Sequence, residues 1–176
     1  TSVDYDAAGT IGINEFITTG TTIDIDALQT TTIAEAGNIT SGGAVTFGAD
    51  KEGKLKTAAN IKTSDDDVTF TNKVKLSGGD AKVLIDTTGA LAGNILFKSK
   101  VETGGQAFTL DAGESGDITA DKSITGGGAF TVTDGAVQQY TGAMEVASLD
   151  IQDATDSVTL DGAVTTETSV DINSLT

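Results

Sequence analysis

Gly93-Asn94-Ile95-Leu96-Phe97, then Val101, then Thr103-Gly104-Gly105-Gln106-Ala107-Phe108-Thr109-Leu110, closes at Gly113. Gly116-Asp117-Ile118-Thr119-Ala120, then Ile124, then Thr125-Gly126-Gly127-Gly128-Ala129-Phe130-Thr131-Val132, closes at Gly135. The second passage repeats the first at an offset of 23 residues, slipping to 22 after one deletion. Each copy holds a Gly-Asn or Gly-Asp corner, a short apolar strand, one isolated apolar residue, a Gly-Gly corner and an apolar-Thr-apolar strand. Three strands this short cannot bury an apolar face by themselves. They must stack on equivalent strands of neighbouring units, which is the logic of a solenoid.

Working outward, the same grammar runs along the chain. Residues 1–28 alternate apolar and polar positions at Val3, Tyr5, Ile11, Ile13, Ile23 and Ile25, with Gly, Asp, Asn and Thr between them. Such period-two patterning between turn formers predicts short strands. Ile33-Ala34-Glu35-Ala36 could make a helical turn, but Thr30-Thr31-Thr32 before it and Gly37-Asn38 after it favour strand and corner. Residues 48–67 break the pattern: Gly48-Ala49-Asp50-Lys51-Glu52-Gly53-Lys54 is charged and turn-like, with Leu55 and Ile61 as the candidate anchors. We read 48–67 as one irregular coil carrying an exposed charged loop. Regularity resumes at Val68 and continues to Ile172.

First-strand anchors are expected at 11, 33, 55, 68, 95, 118, 137 and 158. The expectation is an all-β chain, 1–176 forming a single parallel β-solenoid (β-helix) domain of about eight irregular coils of roughly 20 residues. Inside, Ile95, Ile118, Phe108 and Phe130 would form columns, while Thr109, Thr131 and Thr159 would face outward. Glycine corners permit positive φ, and Asn38, Asn94 and Asp117 sit where a corner residue can adopt it. The competing architecture is an antiparallel β-sandwich, whose strands have no reason to repeat one another at a fixed period. Thr168-Ser169-Val170-Asp171-Ile172-Asn173 nearly repeats Thr1-Ser2-Val3-Asp4-Tyr5-Asp6, which would place the two at equivalent positions in a continuing, uncapped array.

Composition fits a rod. There are 22 glycines and 30 threonines but no proline, cysteine, tryptophan, histidine or arginine. A residue without an N–H would break a ladder wherever strands pair on both sides, so the missing proline agrees with stacked coils. Without cysteine there is neither a disulfide framework nor a thiolate metal site. No apolar run reaches the roughly 18 residues of a membrane span, so no membrane insertion is expected. The opening Thr-Ser-Val-Asp-Tyr-Asp is not a signal peptide, so any such segment is expected to have been removed or to lie outside this chain. The net charge of −16 argues against nucleic acid as a partner, because phosphates would be repelled. All ten lysines lie between Lys51 and Lys122 among eleven acids, and the other 104 residues carry fifteen acids and no base. That distribution suits a solvated surface; the alternative is a complementary pair of patches for association or cation binding.

Gly37-Asn38-Ile39-Thr40-Ser41-Gly42-Gly43-Ala44-Val45-Thr46-Phe47 and Ser157-Val158-Thr159-Leu160-Asp161-Gly162-Ala163-Val164-Thr165-Thr166 resemble repeats of filamentous-haemagglutinin-like bacterial exoproteins. The resemblance covers most of the chain, residues 48–67 excluded. It implies a right-handed parallel β-helix, export from a prokaryotic cell, an extracellular or cell-surface location, and a role as fibre or adhesin. The secretion domain that opens such proteins is not recognisable here.

Chemistry is sparse. Lacking histidine and cysteine, the chain has no ordinary triad, thiol nucleophile or zinc site. Carboxylate pairs remain available for glycosidase chemistry, but the acids are spread evenly, and we expect no catalytic residues and no enzyme. Asp65, Asp66 and Asp67, and the group Asp150, Asp153, Asp156 and Asp161, are candidate calcium ligands without EF-hand spacing. Gly78-Gly79-Asp80-Ala81-Lys82-Val83 lacks the second glycine step of the calcium-binding nonapeptide. The solvated acidic loop is the favoured reading at each, and no cofactor is expected. Asn38-Ile39-Thr40 is a formal glycosylation sequon, read as coincidental. Ice binding would require a more regular threonine array than these coil lengths allow.

Two roles follow from the coils: a fibre built by head-to-tail stacking, or an adhesin shaft or binding module holding a glycan or a host surface protein on the 48–67 loop. The lysines suggest a lateral contact as well. Lys73, Lys75, Lys98, Lys100 and Lys122 are expected on one side of three consecutive coils, forming a basic stripe for self-association. The plainer alternative is that they neutralise Asp111, Glu114, Asp117 and Asp121.

Overall fold

The structure, a computed structural model, describes residues 2–48, 53–78 and 82–173. Every strand pairing in it is parallel, so the solenoid is correct and the antiparallel sandwich is not. No helix occurs among the described residues.

Three strand columns run the length of the rod. The first sheet stacks Val3–Ala7, Ile23–Ala27, Val45–Phe47, Val68–Phe70, Ile95–Phe97, Ile118–Ala120, Val137–Tyr140 and Ser157–Leu160. The second begins with Thr10–Ile13, Thr30–Ile33, Lys54–Thr57, Val74–Leu76, Val101–Glu102 and Ile124–Thr125. The third begins with Ile17–Thr19, Ile39–Ser41, Ile61–Thr63, Val83–Asp86, Phe108–Asp111 and Ala129–Asp134. In the last two rungs the corner between these sheets straightens. Met144–Ile151 and Val164–Ile172 each cross it as one strand, with a register shift between Val146 and Ser148. The eight first-sheet strands are separated by seven coil steps that average about 22 residues from Val3 to Val158.

The central repeat lies in the ladder as its sequence predicts. Ile95 pairs with Ile118 and Val101 with Ile124, an offset of 23. Phe108 pairs with Phe130 and Leu110 with Val132, an offset of 22. Ile95, Ile118, Phe108 and Phe130 are all buried in the core. Other assignments shift. Ile11, Ile33 and Leu55 belong to the second sheet, and the first-sheet positions in those coils are Val3, Ile23 and Val45. Apolar triplets recur three times per coil, so spacing alone could not say which sheet an anchor served. For the same reason the Thr1–Asp6 and Thr168–Asn173 resemblance does not mark equivalent places. Val3 lies in the first sheet and Val170 in the third.

Large side chains are rationed along the axis. Phe47, Phe70 and Phe97 stack in the first sheet with centroids 5.2 and 4.7 Å apart and planes within 3°. Phe97 then meets Phe108 of the third sheet edge-on at 5.8 Å. In the next rung the aromatic is Phe130 in the third sheet, and the first sheet has only Ala120 in the Phe97 column. Tyr140 takes that column up again, edge-on to Phe130 at 5.8 Å. The thin core holds two rings in the rung of Phe97 and Phe108 and one in the rung on either side, with Ala120 in the first sheet where Phe130 fills the third.

Corners are held by side chains as much as by glycine. Before the first sheet, Asn94 N donates to Asp67 Oδ1 at 2.7 Å, Asp117 N to Asn94 Oδ1 at 2.8 Å, and Val137 N to Asp117 Oδ1 at 3.1 Å. Before the third sheet, Asn60 N donates to Asn38 Oδ1 and Leu84 N to Asn60 Oδ1, both at 2.8 Å. Asn38, Asn94 and Asp117 therefore serve as ladder acceptors, and among the described residues the non-glycine positions with positive φ are Asp65 and Ala92. An Asn or Asp at the corner turns its side-chain oxygen along the rod axis and accepts the next coil's N–H. Glycine is needed at the second corner of the central copies. Gly126 has φ +121°, and a Cβ on Gly128 would lie 1.9 Å from the Gln106 carbonyl oxygen.

Candidate functional site

With no pocket chemistry to follow, the surfaces carry the functional question. Two rungs have a neighbour on one side only. At the first rung Tyr5 is 40% and Phe16 71% exposed, and Val3, Ile11 and Ile17 are half-buried. Tyr5, Ile11, Ile13, Phe16 and Ile17 line an open hollow of about 450 Å³ across this face. At the opposite end Val170 is 52% and Ile172 39% exposed, with Val158, Leu160 and Val164 half-buried. These residues continue the inward columns: Leu160 lies over Tyr140, Val164 over Met144, and Ile172 over Ile151. In each sheet a mainly apolar inward column runs from one end to the other. Val158 and Leu160 correspond to Val3 and Tyr5, Val164 to Ile11, and Ile172 to Ile17.

The 48–67 stretch is less of a loop than its sequence suggests. Residues 49–52 lie outside the described residues. From Lys54 onward the chain is in register: Leu55 pairs with Thr31 and Val74, and Ile61 with Ile39 and Ile85. Leu55 and Ile61 are buried, as their role as anchors requires. The charged residues of this segment misled the reading because Lys54, Lys56 and Lys62 occupy the outward positions of ordinary strands.

Asp65 and Asp67 have structural duties. Asp65 Oδ1 accepts the Leu91 and Ala92 amides at 2.8 and 3.3 Å, and Asp67 Oδ1 accepts Asn94. The Thr63 hydroxyl donates to the Asp66 carbonyl. They fasten the 87–94 loop, one of the additions that make its coil longer than its neighbours, where Leu91 is 79% exposed. Among the described residues no three acidic side chains converge as metal ligands would. The Gly78–Val83 segment falls partly outside the described residues at 79–81.

The lysines divide. Lys73, Lys75 and Lys100 flank the inward residues Val74 and Val101 on the second sheet, and Lys54 and Lys56 join them one rung earlier. One outward row reads Lys54, Lys73, Lys100, and the adjacent row reads Lys56, Lys75, Glu102. Lys98 and Lys122 lie elsewhere, in the corner between the first and second sheets, because they follow Phe97 and Ala120 instead of flanking a second-sheet residue. Sequence spacing missed Lys54 and Lys56, which alternate with Leu55 as Lys73 and Lys75 do with Val74. Among the described residues, Asp111, Glu114, Asp117 and Asp121 make no ion pair with this face. Glu102 does so in part, 2.6 Å from Lys73 Nζ and 3.6 Å from Lys100 Nζ. The hydrogen bond from Lys73 holds the Glu102 carboxyl below its ordinary range.

Carboxylates form a column of their own at the far end of the third sheet. Asp86 pairs with Asp111 and Asp111 with Asp134, and Lys62 Nζ lies 2.5 Å from Asp86 Oδ2. Burial pushes the Asp86 carboxyl up, but Lys62 and Thr88 outweigh it and leave it lowered. Further along, the Lys62 charge has only a small opposing effect, on Asp111. Burial raises Asp111, with the Asp86 charge adding to it. Burial likewise raises Asp134, with Asp153, Asp111 and Glu114 adding to it. Outward threonines are mixed. Thr159 is exposed and Thr131 half-buried, but Thr109 is 2% exposed, covered between Leu84 and Thr131 in the outer ladder. No protein family, curated protein or solved structure compared with this chain gives a match.

Proposed function

We propose that this chain is a structural element of an extracellular or cell-surface fibre, extended by stacking coil on coil. The observation that carries this reading is the pair of open end rungs. Each presents open strand edges in all three sheets and a half-buried apolar column, and the columns at the two ends correspond in all three sheets. A second copy placed head to tail covers both apolar columns and continues the parallel ladder, a heterologous contact that extends without closing. One mismatch must be absorbed. Six residues separate Val158 from Val164, whereas eight separate Val3 from Ile11. The chain already makes a larger step internally, since ten residues separate Val45 from Leu55 and six separate Val68 from Val74.

The role is mechanical, and catalysis and cofactors have no part in it. The adhesin reading, with a glycan held on the 48–67 loop, has weaker support because 53–67 contribute a regular rung. Negative-stain microscopy over a concentration series tests the fibre. Filaments should lengthen with concentration, and Ile17→Lys or Val170→Lys, placing a charge in one end column, should give short single rods. Wild-type rods that stay one molecule long at every concentration would overturn the proposal.

A further inference from the structure

We infer that rods of this chain also pack side by side, the second-sheet lysine face of one copy against the carboxylate edge of the next. This rests on the fibre reading only in taking the rod as a building block, since it concerns width and not length. The two surfaces lie on opposite sides of a three-sided rod. The lysines Lys54, Lys56, Lys73, Lys75 and Lys100 sit on the second sheet, and Asp111, Asp134 and Asp153 sit at the corner between the third sheet and the first. A simple translation therefore sets the face of one rod against the edge of another.

Pitch selects the partner. Lys54, Lys73 and Lys100 recur once per rung, and so do Asp111, Asp134 and Asp153, so both rows repeat at the strand spacing of about 4.8 Å. A partner with that pitch is another β-solenoid, and a second copy supplies the complementary row itself. Asp86 is already engaged by Lys62 at 2.5 Å, so the row without lysine begins one rung later, at Asp111. Matching the three lysines to the three acids requires a stagger of two rungs, roughly 10 Å. A free anionic polymer would have to lie on the lysine face between end regions that carry only acids. The copy meets those acids at a different level. Net charge opposes approach over long distances, but at about 0.15 M salt charges beyond roughly 8 Å are screened while contact pairs persist.

Mass per unit length and the cross-sectional radius from solution scattering read the contact, independently of filament length. At about 0.15 M NaCl the wild type should show at least twice the mass per unit length of a single rod, falling to a single rod near 1 M NaCl, where screening reaches roughly 3 Å. Lys54→Glu/Lys56→Glu/Lys75→Glu alters outward positions outside the Glu102 bridges and should remain single at all salt concentrations. Asp111→Asn/Asp134→Asn should also remain single while melting higher than the wild type, so lost pairing there cannot be ascribed to a damaged fold. Wild-type rods of single width at about 0.15 M would overturn the inference, as would doubling that survives both variants. Single-width rods that bind heparin through the lysine face would replace it with a polyanion ligand. Long single-width filaments would refute the lateral contact and leave the fibre standing, whereas short rods paired in width would do the reverse.

Discussion

Replacing Phe97 by alanine tests the account of the core most directly. Phe97 is fully buried in the fifth of eight rungs, stacked 4.7 Å from Phe70 and edge-on 5.8 Å from Phe108. Truncating a buried phenylalanine costs about 3–5 kcal/mol through lost transfer energy and the cavity left behind. Two aromatic contacts disappear as well, each contributing about 0.5–1.5 kcal/mol beyond burial. Collapse cannot easily fill the gap, because Ala120 is the next residue in the same column and the rungs are fixed by the ladder. We therefore expect a loss of about 4–5 kcal/mol, at the upper end of the range. In a stacked array each rung contacts only its neighbours, so the weak point also divides the cooperative unit. Urea unfolding followed by far-ultraviolet circular dichroism should show a large fall in midpoint and a broader transition. A loss below about 1.5 kcal/mol with an unchanged slope would refute this account of the Phe97 packing.

Other consequences follow from the columns. Asp111 and Asp134 have raised carboxyl pKa values, so their ionised forms destabilise the fold at neutral pH, and that penalty is removed as pH falls through the raised values toward the ordinary range. Asp134→Asn should accordingly raise the melting temperature at pH 7 and lose the advantage near pH 4; an equal gain at both values would refute the charge argument. Asp86 behaves oppositely: its lowered pKa stabilises above the ordinary range and the benefit is lost on further acidification, so Lys62→Ala should destabilise at pH 7 but not near pH 2. Asn94→Ala removes the acceptor for the Asp117 amide and should cost about 0.5–1.5 kcal/mol, with faster hydrogen exchange at Asp117, whereas Asn94→Asp keeps the acceptor and the slow exchange. Gly128→Ala drives a Cβ into the Gln106 carbonyl and should lower the melting temperature more than Gly12→Ala, which meets open space.

The fold was legible in the sequence because the 93–135 repeat fixes both period and phase. Ile95 over Ile118 and Phe108 over Phe130 could be read before any coordinate existed. Sheet identity was not, since Ile11, Ile33 and Leu55 carry the same alternation whichever face of the triangle they serve. Only pairing partners distinguish them. The Asn and Asp ladder left a signal that spacing arguments passed over: a polar amide or carboxylate stands directly before the strand at Asn38, Asn60, Asp67, Asn94 and Asp117. Of these, Asn38, Asn94 and Asp117 invite a reading of backbone conformation from sequence, whereas their side-chain oxygens carry the role. Charge misled in the opposite way. Lys54, Lys56 and Asp65–Asp67 look like a loop in composition, yet the lysines decorate a strand and Asp65 and Asp67 fasten a corner.

A parallel solenoid stacks each outward residue directly over its equivalent, so a like-charged column is a cost that a globular surface would spread out. Two unit charges about 4.8 Å apart repel by roughly 1 kcal/mol even in bulk water, and by more where burial lowers the local dielectric. The third to fifth rungs avoid part of this cost: Lys62 faces Asp86, and Glu102 sits against Lys73 and Lys100. Lys54, Lys56 and Lys75 have no such partner among the described ion pairs, and Asp111, Asp134 and Asp153 repel one another along their edge. Each column is unfavourable in a single rod and of opposite sign to the other. Side-by-side packing brings them together at a common pitch and relieves both. A contact of this kind has weak individual pairs, each contributing at most about 1 kcal/mol. Along a fibre the same three pairs recur in every copy, so the width of the bundle depends on its length: short rods should pair transiently and long ones persistently.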